Sequence, residues 1–163
     1  FIEAYKASNL ASALRNYMNH LFGEYGLVVI DGDDQALKKI FGHVTIDDLS
    51  NHTAHTLVSS RTQEINNLDY KTQVNSREIN FFYLDKGIRE RIEKADKGYE
   101  VLNTELKFSE QEMLALINSA PEKFSPNVIL RPLYQETILP NLAYVGGPSE
   151  VAYWLQLKPV FDH

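Results

Sequence analysis

Residues 27–34 have the sequence Leu-Val-Val-Ile-Asp-Gly-Asp-Asp, and this stretch decides the predicted fold. A short, continuous run rich in β-branched residues is typical of a strand buried on both faces of a parallel sheet, so we predict a strand at Leu27–Ile30. The aspartates that follow predict a turn and can cap a short helix that reaches Ile40. Apolar residues in 10–22 recur every three or four positions, which predicts a helix before the strand. Helix, buried strand, acidic turn and helix are typical of a doubly wound α/β fold.

The last quarter of the sequence repeats this α/β pattern. All six prolines lie there, at residue 121 or beyond. Two further runs predict strands, Asn127–Leu130 and Leu142–Val145, and each is followed by a predicted helix, at 133–139 and 148–157. The crossover between the two runs is long enough for a right-handed βαβ unit. We therefore predict that these strands join the first one in a parallel sheet.

The residues between these two regions have a different pattern. Residues 47–68 predict one long helix with an apolar stripe. A strand is predicted at Ile79–Leu84, and the alternating charges of Gly87–Lys97 predict a solvated helix face. Ser109 and Glu112 have the spacing of a capping box at the start of another helix. We predict that this middle region is an α+β insertion beside the sheet.

Composition narrows the class of protein. The chain has 163 residues, 16 Lys and Arg against 22 Asp and Glu, and a net charge of -6. This acidic balance argues against a general nucleic-acid or anionic-membrane binder. Without cysteine there is no disulfide scaffold, thiolate zinc site or cysteine nucleophile. No signal peptide or membrane-spanning run is visible, which predicts a cytoplasmic protein. The chain begins with Phe1, so we expect an internal piece of a longer protein.

Residues suited to a ligand follow each predicted strand. In open α/β sheets, ligands bind beyond the carboxyl ends of the strands. If the three strands share one parallel sheet, the residues that follow them converge on one crevice. These residues are Asp31 and Asp33, Arg131, and Gly146 with Gly147.

Each of these residues also has a plainer interpretation. Gly146 and Gly147 precede a helix whose N-terminus favours an anion, but such a pair is also a common turn. The Arg131 guanidinium suits a carboxylate or a phosphate, or forms an ion pair with Glu136 or Glu150 that fixes the turn.

The acidic and aromatic candidates have alternatives as well. Asp31 and Asp33 could hold ribose hydroxyls, an ammonium group or a magnesium ion, or an aspartate of this turn could only cap the next helix. His52 and His55 have a metal-ligand spacing, but the sequence offers no third ligand nearby, so we predict a solvated pair and no metal site. The side chains of Tyr153 and Trp154 could wall an adenine or a sugar, although core packing is more usual.

Two long blocks of the sequence resemble a known family. Residues 125–136 are Ser-Pro-Asn-Val-Ile-Leu-Arg-Pro-Leu-Tyr-Gln-Glu, and residues 139–154 are Leu-Pro-Asn-Leu-Ala-Tyr-Val-Gly-Gly-Pro-Ser-Glu-Val-Ala-Tyr-Trp. With weaker support from residues 22–31 and 82–92, they closely resemble the BshC family of bacillithiol biosynthesis. The family is assigned to add cysteine to glucosaminyl malate in the last step of that pathway.

The resemblance implies a fold and a division of the chain. It implies a Rossmann-like core at residues 1–43 and 125–163, interrupted by a connecting-peptide-type α+β insertion at residues 44–124. In the family, this core is followed by a helical coiled coil that dimerises, which implies a homodimer. Family members are much longer than this chain, so the chain alone is expected to be inactive.

The resemblance also implies substrate- or nucleotide-binding residues, while it leaves the catalytic residues unassigned. Amide formation requires an activated cysteine carboxylate, most simply an adenylate, so the resemblance suggests ATP or ADP as a ligand, and whether the family uses ATP stays an open question. We assign Gly146 and Gly147 to an anion, Asp31 to an ammonium group and Arg131 to a carboxylate. The full implied set is Asp31, Asp33, Asn127, Arg131, Gln135, Asn141, Gly146, Gly147 and Glu150.

A non-catalytic module is the alternative. In that interpretation the chain binds a nucleotide or another anion, or binds a protein partner through the helix at 47–68 and the charged stretch at 87–97.

Overall fold

The computed structural model describes residues 2–163. They belong to two compact units, one that ends at Asp34 and one from Gln35 to His163. In the first unit, helix α1 spans Leu10–Phe22, as predicted, and the Asn9 side chain caps it by accepting a hydrogen bond of 2.8 Å from the Ser12 N–H. Short 3-10 helices lie at Ala4–Lys6 and Gly23–Tyr25.

The strand predicted at Leu27–Ile30 is wrong, because the structure has extended but unpaired backbone there. Val28 is 72% exposed, which contradicts burial on both faces. A strand needs a neighbour for its backbone N–H and C=O groups, and the rest of the described first unit is helix and turn. In the turn that follows, the Asp33 N–H donates to Asp31 Oδ1 at 3.0 Å.

Three helices open the second unit. Helix α2 spans Gln35–Ile40, as predicted, and is followed by α3 at Gly42–Asn51 and α4 at Thr53–Asn67. The single helix predicted over residues 47–68 is therefore wrong. His52 separates α3 from α4 in a left-handed conformation with φ of 55°, and its Nδ1–H donates to the Glu78 carbonyl oxygen at 2.9 Å.

One five-stranded antiparallel sheet lies in the second unit. Its strands are β1 (Phe81–Asp85), β2 (Ile88–Ala95), β3 (Gly98–Val101), β4 (Lys107–Phe108) and β5 (Phe124–Pro126). Their order is β4-β3-β2-β1-β5, and every neighbouring pair is antiparallel. The parallel sheet predicted from the sequence is therefore not present in residues 2–163, whereas the strand predicted at 79–84 is confirmed as β1.

The helix predicted at Gly87–Lys97 is wrong, because most of this stretch is β2. Ile92 is buried, whereas Arg89, Arg91 and Glu93 are exposed. This alternation has the period of two of a half-buried strand. The charges alone had suggested a solvated helix.

The strand predicted at Asn127–Leu130 is also wrong, because these residues turn into helix α6 (Arg131–Ile138). Asn127 Oδ1 accepts from the Ile129 N–H at 2.8 Å, a local hydrogen bond typical of a turn. The strand predicted at Leu142–Val145 is wrong as well, because this stretch has no regular structure, and Leu142 and Val145 are exposed. Neither of these two apolar runs pairs its backbone with a strand among the described residues.

The helices predicted after residue 109 are confirmed. Helix α5 (Glu110–Ser119) begins with the predicted capping box between Ser109 and Glu112. Helix α6 has Pro132 in its first turn, and α7 (Pro148–Asp162) extends beyond the predicted end at residue 157. Within residues 2–163, no helix is long and apolar enough to cross a bilayer.

The hydrophobic core of the second unit joins its helices to the sheet. Phe41 comes from the turn between α2 and α3, Leu49 and Val58 come from α3 and α4, and Ile92 and Met113 come from β2 and α5. The region after residue 125 contributes Ile129, Leu130, Tyr134, Leu157 and Val160. All three predicted segments thus contribute to this core, and their boundaries at 43/44 and 124/125 stay a prediction.

Candidate functional site

Four of the chain's six arginines line one cavity of about 630 Å³ in the second unit. They are Arg77, Arg89, Arg91 and Arg131, and we call this space the arginine cavity. Its other lining residues are apolar or uncharged, and no Asp or Glu is among the described residues that line it. A local excess of positive charge thus lies on a chain whose net charge is -6.

The register of the sheet places two of these arginines together. Arg91 lies opposite Phe82 in the β1–β2 pair, and Arg89 is two residues away on the same face. The Arg89 guanidinium carbon lies 3.9 Å from the centroid of the Phe82 ring. This cation–π contact orients the Arg89 side chain beside the cavity.

Asn80 holds two of the residues that line the cavity, Arg77 and Asn127. Its Oδ1 accepts from the Arg77 N–H at 3.1 Å and from Asn127 Nδ2 at 3.0 Å, and its Nδ2 donates to the Arg77 carbonyl oxygen at 2.8 Å. The Asn127 N–H donates to the Asn80 carbonyl oxygen at 2.9 Å. The Asn80 side chain is fully buried, so these hydrogen bonds hold Arg77 and Asn127 in place without competition from water.

Asp48 on α3 is hydrogen-bonded to Asn80. Its carboxylate accepts from the Asn80 N–H at 2.6 Å and from Asn80 Nδ2 at 3.1 Å. Burial is the strongest influence on this group and raises the pKa of Asp48 to about 6, although the hydrogen bonds from Asn80 act in the opposite direction. The network therefore contains a carboxylate that gains a proton under mildly acidic conditions.

A second polar cluster surrounds Glu150 in the first turn of α7. Tyr153 OH donates to Glu150 Oε1 at 3.0 Å, and Arg131 Nη2 lies 3.5 Å from the same oxygen. A hydrogen bond from Tyr144, then Tyr153 and Arg131, lower the pKa of Glu150 against the effect of burial. Burial and then the bond to Glu150 raise the pKa of Tyr144 to about 12. Near pH 7, Glu150 is therefore an anion held by two neutral phenols.

Gly146 and Gly147 adjoin this cluster, and the structure explains the first glycine by packing. A Cβ at Gly146 would lie 2.6 Å from Cε1 of Tyr144, whose ring stacks on Trp154 with 4.2 Å between centroids. Gly147 precedes the first turn of α7, where the Glu150 carboxylate already interacts with the helix dipole. The arginine cavity is therefore electrostatically better suited to an anion than this helix N-terminus.

The remaining predicted site residues lie in several places. Arg131 and Asn127 line the arginine cavity, and Arg131 also joins it to Glu150. Asn141 Nδ2 donates to Glu136 Oε2 at 2.8 Å, and Gln135 is exposed on α6. Asp31 and Asp33 belong to the first unit, so their convergence with Arg131 and Gly147 stays a prediction.

Two other candidates have structural partners. His55 Nδ1 lies 3.1 Å from Ser76 Oγ, and His52 bonds to a backbone carbonyl, so both half-buried side chains have partners within the protein. Trp154 lies between the rings of Tyr144 and Phe161, so its faces are occupied by core packing. Neither feature adds to the candidate site.

Most of the arginine cavity was not predicted from the sequence. Arg89 and Arg91 were placed on a helix face, and Arg77 was not singled out. Asp48 and Asn80 carry no motif, because a buried polar pair is recognisable only once its burial is known. The sequence did contain one signal. Arg89 and Arg91 are separated by a single residue, and this spacing places both side chains on one face if the segment is a strand.

The chain matches one known protein family over almost its whole length. A family model described as "Bacillithiol biosynthesis BshC, N-terminal Rossmann-like domain" matches residues 2–163. A relative from Cytophaga hutchinsonii is 51% identical over 160 residues, which cover 98% of this chain and 31% of the relative. A relative from Flavobacterium psychrophilum is 54% identical over 155 residues, which cover 95% of this chain and 29% of the relative.

A more distant relative from Staphylococcus haemolyticus is 32% identical over 146 residues, which cover 88% of this chain and 27% of that protein. All three relatives are named "Putative cysteine ligase BshC". The chain thus spans about 31% of the length of its Cytophaga relative. The resemblance stated from the sequence, including its Rossmann-like class, is confirmed.

Proposed function

Because this chain belongs to the BshC family of bacillithiol biosynthesis, we propose that it is part of a ligase that joins cysteine to glucosaminyl malate. The observation that carries the proposal is the family match over residues 2–163. Since the chain spans about 31% of the Cytophaga relative, the activity is proposed for the whole protein, with this chain as one contributor to its site.

The proposed reaction forms an amide in two steps. A carboxylate oxygen of cysteine attacks the α-phosphorus of ATP, which forms cysteinyl adenylate and releases pyrophosphate. The glucosamine nitrogen then attacks the acyl carbon, the bond to AMP breaks, and the nitrogen loses a proton. ATP as the activating substrate is part of the proposal, and the chain supports it only through positive charge suited to anionic groups.

Arg131 is the residue to which we assign a substrate carboxylate. Its side chain is 66% exposed, and its contact with Glu150 is long at 3.5 Å, so its guanidinium can exchange this partner for a ligand. It lines the arginine cavity while it borders the Glu150 cluster. Asp31 keeps its proposed role with the ammonium group of cysteine, and Gly146 and Gly147 keep theirs with an anion.

The wider context is also proposed from the resemblance. We expect the full-length protein to be a cytoplasmic homodimer that is held together by a coiled coil. Size-exclusion chromatography with light scattering on a protein of full family length would give twice the protomer mass if this is correct.

The test is a chimaera of the Cytophaga relative in which this sequence replaces the corresponding segment. The chimaera and its parent are incubated with cysteine, glucosaminyl malate and ATP, and the amide product is measured by mass spectrometry. We expect both proteins to form the amide. We also expect Arg131→Ala to lower kcat/KM by at least about tenfold, and the matched control Arg15→Ala to retain activity. Ligation that is unchanged in Arg131→Ala would contradict the assigned role, and an inactive parent would contradict the ligase proposal.

A non-catalytic anion-binding module is the second candidate. It is favoured by the arginine cavity, which needs no reaction to bind a ligand. In that case the chimaera would bind anions but form no amide with any combination of the three substrates.

A further inference from the structure

We propose that the arginine cavity is a binding site for a compact anion that carries at least two negative charges on oxygen. The ligand class comprises small dicarboxylates and oligophosphates, which share this chemistry. The proposal rests on the anion-binding candidate above and not on the ligase reaction, because it concerns binding to this chain alone.

Charge is the first argument. In the described part of the chain, neither Arg77, Arg89 nor Arg91 forms a salt bridge with a carboxylate. Arg89 and Arg91 lie on the same face of β2, so their like charges repel each other. A bound anion would relieve this repulsion, which the solvent around the exposed side chains screens only in part, and no Asp or Glu is among the described residues that line the cavity.

The type of cation is the second argument. All four cations that line the cavity are arginines, although the chain has ten lysines and six arginines. A guanidinium presents paired N–H donors that match the two oxygens of a carboxylate or phosphate. The use of arginine rather than lysine therefore favours the binding of an oxyanion in a defined geometry over nonspecific attraction of counterions.

Preorganisation is the third argument. The Phe82 ring orients Arg89, and hydrogen bonds to Asn80 fix the backbone of Arg77. Arg131 begins α6, where its N–H donates to the Asn127 carbonyl oxygen at 2.9 Å. These contacts fix the backbone of Arg77 and Arg131 and orient the guanidinium of Arg89, which reduces the conformational freedom lost when a ligand binds.

The size of the cavity sets the class of ligand. About 630 Å³ lies within the range of small-molecule sites and exceeds what a single chloride ion needs. Gln73, Asn75 and Asn127 add amide groups to the wall, which suit the hydroxyl groups of a ligand that carries more than charge.

The experiment is isothermal titration calorimetry of the 163-residue chain with L-malate and, separately, with pyrophosphate, in a low-salt buffer free of phosphate. We expect saturable binding of at least one probe with a stoichiometry of one, and weaker binding as salt is added. Binding of malate only identifies a dicarboxylate, binding of pyrophosphate only identifies an oligophosphate, and both results support the shared chemistry.

Variants test whether this cavity is responsible. Arg91→Gln and Arg89→Gln are expected to lower the affinity by about tenfold to a hundredfold each. Arg91→Lys keeps the charge but loses the paired donors, so a smaller loss is expected. Arg15→Gln removes the same charge in the first unit and should leave the affinity unchanged. Because the side chains of Arg89 and Arg91 are exposed, these substitutions are expected to preserve the fold, and circular dichroism checks this.

Two results would overturn the proposal. One is the absence of saturable binding for both probes. The other is an equal loss of affinity in Arg91→Gln and Arg15→Gln, which would show that net charge rather than the cavity attracts the anion.

Discussion

Asn80 is the residue on which the arginine cavity depends most. Truncation in Asn80→Ala would leave the Arg77 N–H and Asn127 Nδ2 without their buried acceptor and remove one donor to Asp48. We expect a loss of about 2–4 kcal/mol in the free energy of unfolding, measured by urea denaturation. Asn67→Ala, at an exposed position on α4, is the matched control and should change it by less than about 1 kcal/mol. Equal effects of the two variants would contradict the network.

Asp48 gives the protein a predicted pH dependence. In the unfolded chain its carboxyl has a pKa near 3.8, whereas burial raises the pKa in the folded protein to about 6. The folded state therefore binds more protons between these values, so the contribution of Asp48 is fully present below about pH 4 and is lost as the pH rises through 6. The total loss is about 3 kcal/mol.

The comparison with Asp48→Asn isolates this effect. The amide does not titrate, so the stability of the wild type should fall relative to the variant between pH 4 and 7, as measured by urea denaturation at each pH. A difference that stays constant across this range would show that Asp48 does not titrate there.

Two of the binding residues predicted from the sequence, Arg131 and Asn127, line the arginine cavity. Both come from the block that resembles the family, and their binding roles stay predictions. Asp48 and Asn80 were not predicted as functional, since an isolated Asp or Asn is usually exposed. Their importance comes from burial, which depends on the whole core.

Gly98, at the start of β3, occupies a position where the sheet has no room for a side chain. Its φ is 116°, and a Cβ there would lie 2.1 Å from the Phe108 carbonyl oxygen. Gly87 has a similar φ of 89° with open space around it, so it serves as the control. We expect Gly87→Ala to cost about 1–2 kcal/mol and Gly98→Ala to cost more, by about 2 kcal/mol, because steric overlap adds to strain. Thermal unfolding of both variants measures this difference, and equal losses would contradict it.

The elements show which patterns carry fold information. Helix α5 was predicted correctly because Ser109 and Glu112 interact locally. The run Leu27–Ile30 was predicted as a strand from its β-branched residues, but a strand also requires a partner that no local pattern reveals. The helix predicted where β2 lies was wrong for a different reason. The charges were considered without the alternation that places Ile88, Glu90 and Ile92 on the core-facing side of the strand.

At the scale of the whole molecule, the two units differ in how much they bury. Among the side chains described in the first unit, Ala13 is the only buried apolar one. The hydrophobic core cluster lies wholly in the second unit. We expect backbone amides of α1 to exchange with solvent at least about tenfold faster than those of α5, as measured by hydrogen-exchange mass spectrometry. Equal protection would mean that the first unit is stabilised beyond its own core.

The family context explains why a correct fold class coexisted with a wrong sheet. The Rossmann-like class followed from blocks of sequence that the family match bears out. The topology did not follow, because the three runs from which a parallel sheet was predicted are unpaired in the described residues. Sequence blocks identify relatives, whereas strand order depends on which segments pair.

The arginine cavity can be examined through the arginines themselves. In a ¹H–¹⁵N NMR titration of the chain with pyrophosphate and with L-malate, each arginine reports through its Nε–H signal. The cavity predicts that, with at least one of the two anions, the signals of Arg77, Arg89, Arg91 and Arg131 shift together and saturate with one dissociation constant, while Arg15 and Arg61 stay unchanged. Weak, unsaturated shifts of all six arginines, or no shift with either anion, would contradict it.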